Sequence, residues 1–250
     1  MARLAFEQKQ RYLQDKVLVL GSRVEEILQG AVDALKQRDL EKSTRLIVDS
    51  RNLNQVCNEI ETDTLVALAT QQPMAGDLRF LAGVLEIALE LGRVGKHTRE
   101  ISEINLKLGP EKRPKALLYI NYMAESARKM LRLAMEAFAR RDVILARSIS
   151  VQDDEVDDLF SETYRHLLAT VKTNPELAAQ SIYLSQVAHQ LERVADRATN
   201  ICEWIVYVIT GEMVETNMKP DDYASAFERK VKKGEPHFIE PSPNGNIDNI

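Results

Sequence analysis

The sequence predicts an all-α fold of two tandem three-helix bundles, a six-helix repeat, with a polar, mostly disordered C-terminal tail. Three observations predict it. Only 10 of 250 residues are Gly and 6% are aromatic. The abundant Ala, Leu, Glu, Gln, Arg and Lys lose little rotamer freedom in a helix. Apolar residues recur at steps of three and four, the spacing of one helix face. The second half of the chain also echoes the first.

In the first segment the apolar stripe runs Leu13, Val17, Leu20, Val24, Ile27, Ala31, Leu35. It predicts a helix from about Leu4 to Gln37, ended at Arg38-Asp39. A second helix follows from about Leu40 to Gln71, where Pro73 and Gly76 stop it, because proline lacks an N–H and restricts its predecessor. A third runs from near Asp77, a suspected helix-capping residue, to about Lys107. Gly109-Pro110-Glu111-Lys112-Arg113-Pro114 reads as a linker. Helix four spans about Lys115–Arg140, helix five Val143–Lys172, and helix six Glu176–Gly211, with Asn174-Pro175 between the last two. The expected organisation is a bundle over 1–108, a linker over 109–114, a bundle over 115–211 and a tail over 212–250. A short helix from about Asp221 to Lys233 fits the tail's one periodic stretch, and beyond Gly234 little apolar surface offsets ordering entropy.

The repeat is read from matching helix breaks. Arg38-Asp39-Leu40 matches Arg141-Asp142-Val143, and at that offset Ala31, Ala34 and Val48 match Ala134, Ala137 and Val151. Leu91, Arg93, Val94 and Ile101 match Leu191, Arg193, Val194 and Ile201 at an offset three residues shorter. The length change falls near the Pro73 and Pro175 turns.

A net charge of −5 with 28% charged residues gives no bulk reason to bind nucleic acid. Cys57 and Cys202 lie in helical patterns without a CxxC motif and read as reduced thiols. The N-terminus lacks a signal-peptide apolar region, and the longest apolar run, Trp204 to Ile209, is too short to span a bilayer. The expected location is the cytoplasm. A nucleophile elbow, a Gly-rich phosphate loop, HExxH and GxGxxG are all absent from the sequence. The chain therefore reads as a non-enzyme.

Gln72-Pro73-Met74-Ala75-Gly76-Asp77-Leu78-Arg79, Leu191-Glu192-Arg193-Val194-Ala195-Asp196 and Leu53-Asn54-Gln55-Val56 resemble the QPxAxDLR, LERIGD and INxL blocks of the PhoU family of phosphate-signalling regulators. Asn200-Ile201 matches the residues that follow the acidic block, and the resemblance covers about residues 3 to 211. It implies two pseudo-symmetric bundles and a homodimer. The implied role is an adaptor that restrains the phosphate ABC transporter, through its ATPase subunit, and quiets a sensor histidine kinase.

The resemblance also implies a metal site. Some family members hold multinuclear clusters, reported as iron, on paired ExxxD or DxxxD motifs. Residues i and i+4 share a helix face, so two such pairs on neighbouring helices offer a ring of hard oxygen ligands. Asp153 and Asp157 form one pair, Glu192 and Asp196 the other, with Asn200 one turn on. An iron cluster is the expected occupant, with Mn, Zn or Mg as alternatives. The competing reading is that Arg147, Arg193 and Arg197 neutralise these acids in salt bridges. His189 is close enough by spacing to assist, though an isolated helical histidine is ordinarily a surface residue. The first repeat departs from the family pattern. It has Gly92 and Lys96 at the acidic block, and Ser50 and Cys57 where acids are usual. No cluster is expected there, and Lys96 is expected to pair with a local carboxylate. A carboxylate di-iron enzyme is the alternative function class, but such sites use ExxH pairs, which the sequence lacks.

Overall fold

The computed structural model describes residues 2–111, 117–150 and 152–214. Seven α-helices lie within them: α1 Ala2–Gln37, α2 Leu40–Gln71, α3 Gly76–Leu108, α4 Leu117–Arg140, α5 Val143–Ser150, α6 Asp153–Thr173 and α7 Ala178–Thr210. A 3-10 turn, Pro175–Leu177, leads into α7. No strand occurs among the described residues. The expected tail helix, the basic Arg229–Lys233 and half of the expected linker, residues 112–114, lie outside them.

Helices α1, α2 and α3 pack on one another, as do α4, α5, α6 and α7. The broadest interface among the described helices joins α3 to α7, and α1 also meets α4, so one continuous core unites the helices. Burial follows the repeat. Val17, Leu20, Val24, Ala31 and Leu35 are buried, and so are Ile120, Met123, Ala127, Ala134 and Phe138, each 103 residues later. Leu81, Val84, Ile87, Leu91, Val94 and Ile101 are buried, and so are their counterparts 100 residues later.

The repeated Arg-Asp breaks have one geometry. Arg38 and Arg141 both take the left-handed conformation, with φ of 61° and 53°. The following Asp39 and Asp142 donate their N–H groups to Ala34 and Ala137, five residues back, at 2.9 and 3.0 Å. That is the closing bond of a Schellman C-cap. Each aspartate carboxylate then accepts from the backbone N–H three residues ahead, Lys42 at 2.8 Å and Leu145 at 2.9 Å, and caps the next helix. Two residues end one helix and start another, which reverses the chain with no loop.

The expected single fifth helix is broken. α5 ends at Ser150, and Gln152 donates to the Ile149 carbonyl at 2.9 Å before α6 starts at Asp153. α2 runs unbroken through the equivalent place, where buried Ser50 bonds back to Leu46 at 2.8 Å. The counterpart of Ser50, 103 residues on, is Asp153. A carboxylate carried into the core would lose its hydration. The break instead puts Asp153, Asp154 and Glu155 in the first turn of α6, where free N–H groups and the helix dipole favour acids.

Candidate functional site

The acidic positions fall on the α6–α7 groove of the second copy. Asp153 and Asp157 lie one turn apart at the start of α6, both half-buried, and each has an interaction partner in the fold. Glu192, Asp196 and Asn200 descend one face of α7 at intervals of four, all half-buried. Buried Ala188, Leu191, Ala195 and Ala198 fix the orientation of that face.

Asp196 is a perturbed acid. Burial pushes its carboxyl above the ordinary 3.8, and the Glu192 and Asp157 carboxylates push the same way, against the nearby Arg197 and Arg193 guanidiniums. Asp157 acts on Asp196 from the neighbouring helix, across the α6–α7 pair. Glu192 is already engaged, because its carboxylate meets His189 Nδ1 at 2.8 Å. His189 is itself half exposed and packs beside Phe160, ring centroids 6.3 Å apart. Asn200 donates to the Asp196 carbonyl at 3.3 Å and accepts from Arg197 at 3.1 Å in the amide orientation that satisfies both neighbours.

Among the described residues no three His, Cys, Asp or Glu side chains stand grouped to hold a metal ion. The oxygen donors on α6 and α7 have the chemistry of a hard-cation site, but as placed they do not form a closed cage.

Arg197 does not neutralise the α7 acids by a salt bridge. Its guanidinium crosses to α3 and meets Glu90 at 3.4 Å, and Arg93 bonds the same carboxylate from the other side. Glu90 is only 3% exposed, so this double pairing is what makes a charge tolerable between α3 and α7. The reciprocal contact is present too, with His97 Nδ1 against Gln190 Oε1 at 2.7 Å. Position 90 meets 197, and 190 meets 97, as a two-fold relation between the repeats requires. Burial holds the His97 imidazole below its ordinary 6.5, although Gln190 and Glu100 pull the other way. Sequence reasoning passed over this network. Its signal was an acid, Glu90, inside the apolar run from Ile87 to Leu91.

The first copy is closed where the second has its acids. Cys57 packs on Gly92, where an added Cβ would lie 3.2 Å from the sulfur, and Leu53 packs on Gly95, where it would lie 3.1 Å from Cδ1. Burial pushes the Cys57 thiol up to about 11 and the Cys202 thiol up to about 12. Lys96 is exposed and has no ion pair among the described residues, contrary to expectation. Its one acid a turn away, Glu100, sits at i+4 in the less favourable Lys-to-Glu order.

Asp77 is likewise not the α3 cap. The N-cap residue is Ala75, without a side-chain bond, while Asp77 accepts from Gln10 of α1 at 3.0 Å. A second acid–base cluster ties α1 to α2, with Lys9 at 3.1 Å and Lys16 at 2.8 Å from Asp63. Those partners hold the Asp63 carboxyl below its ordinary value.

Fold and groove together define a duplicated helical-bundle protein whose second copy carries a partly desolvated acidic groove. The PhoU domain family model matches twice, over residues 17–104 and 120–205, and the chain belongs to the PhoU family. A protein of Rhizobium meliloti (strain 1021) described as a phosphate-specific transport system accessory protein PhoU homolog is 30% identical over 222 residues, covering 88% of this chain and 94% of its own. A Methanothermobacter thermautotrophicus relative of like description is 33% identical over 183 residues, covering 73% of this chain and 84% of its own. The crystal structure of PhoU from Pseudomonas aeruginosa aligns with a TM-score of 0.79 at 26% identity, covering 83% of this chain and all of that one. The Streptococcus pneumoniae phosphate transport system regulatory protein PhoU aligns with the same TM-score at 28% identity, over 84% of this chain and 99% of that one.

Proposed function

We propose that this protein is a non-enzymatic regulator of phosphate uptake and phosphate-starvation signalling. It works in the cytoplasm as an adaptor between the phosphate ABC transporter's ATPase subunit and a sensor histidine kinase. The observation that carries the reading is the double family match across both copies, together with relatives described as phosphate transport accessory proteins. None of the described helices is long and apolar enough to cross a membrane, so the transporter would be met by docking. The direct test is capture of the purified ATPase subunit by the full chain at micromolar concentration. The reading predicts saturable binding without ATP-dependent turnover by this chain. Absence of binding to both the ATPase subunit and the kinase would count decisively against it. Self-association as a homodimer belongs to the same reading, and sedimentation equilibrium tests it.

A second reading is that the α6–α7 groove takes a hard or borderline cation, iron or alternatively Mn, Zn or Mg, on Asp153, Asp157, Glu192, Asp196 and Asn200. The raised Asp196 carboxyl beside two further acids favours it, because a cation would relieve their repulsion. Metal analysis of protein purified without chelator, repeated on Asp196→Ala, decides it. Metal retained by the wild type and lost by the variant supports the reading, and equal content in both refutes it.

A further inference from the structure

A cleft of about 450 Å³ opens where residues of the two copies meet, and its charged lining is Arg79 and Arg141 together with Glu7 and Asp77. Arg79, in the first turn of α3, comes from the first copy. Arg141, at the α4–α5 turn, and Val208 and Ile209, near the end of α7, come from the second. Neither arginine has an ion pair among the described residues. Arg79 Nε is buried without a hydrogen-bond partner there, and Arg141 lies over the Phe80 ring, 5.3 Å from its centroid. The two acids on the same wall are already engaged: Asp77 accepts from Gln10, and Glu7 has a partner in the fold.

The structural role of Arg79 is only part of the account. It lies near Gly211 at the end of α7, its guanidinium carbon 3.6 Å from where a Cβ would sit. A cation there suits the helix's negative end. That placement leaves Nε unsatisfied and does not require Arg141. The repeat supplies an internal control. One repeat later Ala179 stands at the place of Arg79 and Gln180 at that of Phe80, while Arg38, the counterpart of Arg141, donates to the Pro110 carbonyl at 3.5 Å. Nothing in the shared bundle packing demands the two-arginine arrangement.

We infer that this cleft binds a small phosphate oxyanion, either orthophosphate or the phosphate group of a small phosphomonoester. Two guanidiniums from different elements can each direct paired N–H donors at one multi-oxygen anion. Phe80, Val208 and Ile209 leave an apolar wall against which a carrier group would lie. The ligand would bridge the two copies. This inference is independent of whether the chain docks on a transporter.

The test titrates full-length protein, prepared in phosphate-free buffer, with orthophosphate and separately with phenyl phosphate, using acetate as a control. Saturable one-to-one binding of either phosphate, with acetate far weaker, is expected. The ligand that binds more tightly identifies free or carried phosphate as the source. Arg141→Gln should weaken binding about tenfold, the scale of one lost charge-assisted pair. Arg38→Gln should leave it unchanged. Should Arg79→Gln or Arg141→Gln fail to fold, arginine modification of the wild type by phenylglyoxal replaces them. Phosphate should then slow labelling of Arg79 and Arg141 but not of Arg38. No saturable binding of either phosphate at millimolar concentration, or binding and labelling indifferent to these arginines, would overturn the inference.

Discussion

At the α1–α2 turn the first copy buries Asn105, which donates to the Ala34 carbonyl at 3.1 Å and to Ser43 Oγ at 2.9 Å. The second copy has Ile205 and Ala146 at those positions, both buried. Along the next helix pair the first copy sets Leu53 against Gly95, while the second has Val156 and Ala195. Each exchange changes both partners. A polar pair became an apolar pair, and a large–small pair became a medium–medium pair, so volume and hydrogen-bond satisfaction are kept at fixed burial. The acidic positions follow no such rule. Glu192, in place of Gly92, is met by His189 in place of Leu89, but Asp196, in place of Lys96, has no ion pair among the described residues. Where copies differ in compensated pairs, packing accounts for the difference, and where they differ without compensation another demand does.

The largest expected effect tests whether the copies are one folding unit. Leu91→Ala and Leu191→Ala, both fully buried, should each cost about 3 kcal/mol. Both should give a single urea transition, because α3 and α7 share one core. Two separated transitions would break the comparison into independent bundles. Next in size, Asn105→Ile should cost about 2 kcal/mol by removing two buried hydrogen bonds, although the Ala34 carbonyl keeps the Asp39 N–H and the Ser43 hydroxyl keeps the Asp39 carbonyl. Adding Ser43→Ala should recover part of that loss, since it recreates the second copy's pair. Gly95→Ala should cost about 1 kcal/mol, the overpacking against Leu53 exceeding the gain in helix propensity. Leu53→Val in the same chain should restore it, whereas Leu53→Val alone should destabilise.

The smallest effect separates the acidic groove from the packing. The folded-state carboxyl of Asp196 titrates above its unfolded value, so on raising the pH the unfolded chain ionises first. Stability is therefore lost as pH rises from about 3.8 through the raised value. In the presence of chelator, Asp196→Asn should melt higher than wild type at pH 7, and the difference should vanish below the ordinary carboxylate range. A variant that melts lower at pH 7 would mean that the carboxylate is stabilised by its partners, and the groove would then be ordinary ion pairing.

Much of this was legible in the residues. The Arg-Asp breaks, Pro73 and Asn174-Pro175 each carry a local mechanism for ending a helix, so α1 to α4 and α7 lie close to where the pattern puts them. The α5–α6 break was not legible, because the buried stripe passes through it in register, from Ile149 to Val156. Periodicity records which face is buried and not whether the backbone is continuous. The only sign was the run Asp153-Asp154-Glu155, which also suits a ligand set. Pairing across the molecule was the other loss. Spacing placed Asp196 and Arg197 together on one helix, but the destination of Arg197 on Glu90 depends on how α3 crosses α7. The reciprocal positions 90, 97, 190 and 197 become meaningful only once that interface is known.

The regulatory role itself is tested most directly by phosphate uptake in host cells lacking this protein, measured with phosphate plentiful. Uptake should stay high when it would normally be restrained, and the intact chain supplied in trans should restore restraint. Uptake that is unchanged by loss of the protein, in both plentiful and scarce phosphate, would contradict it.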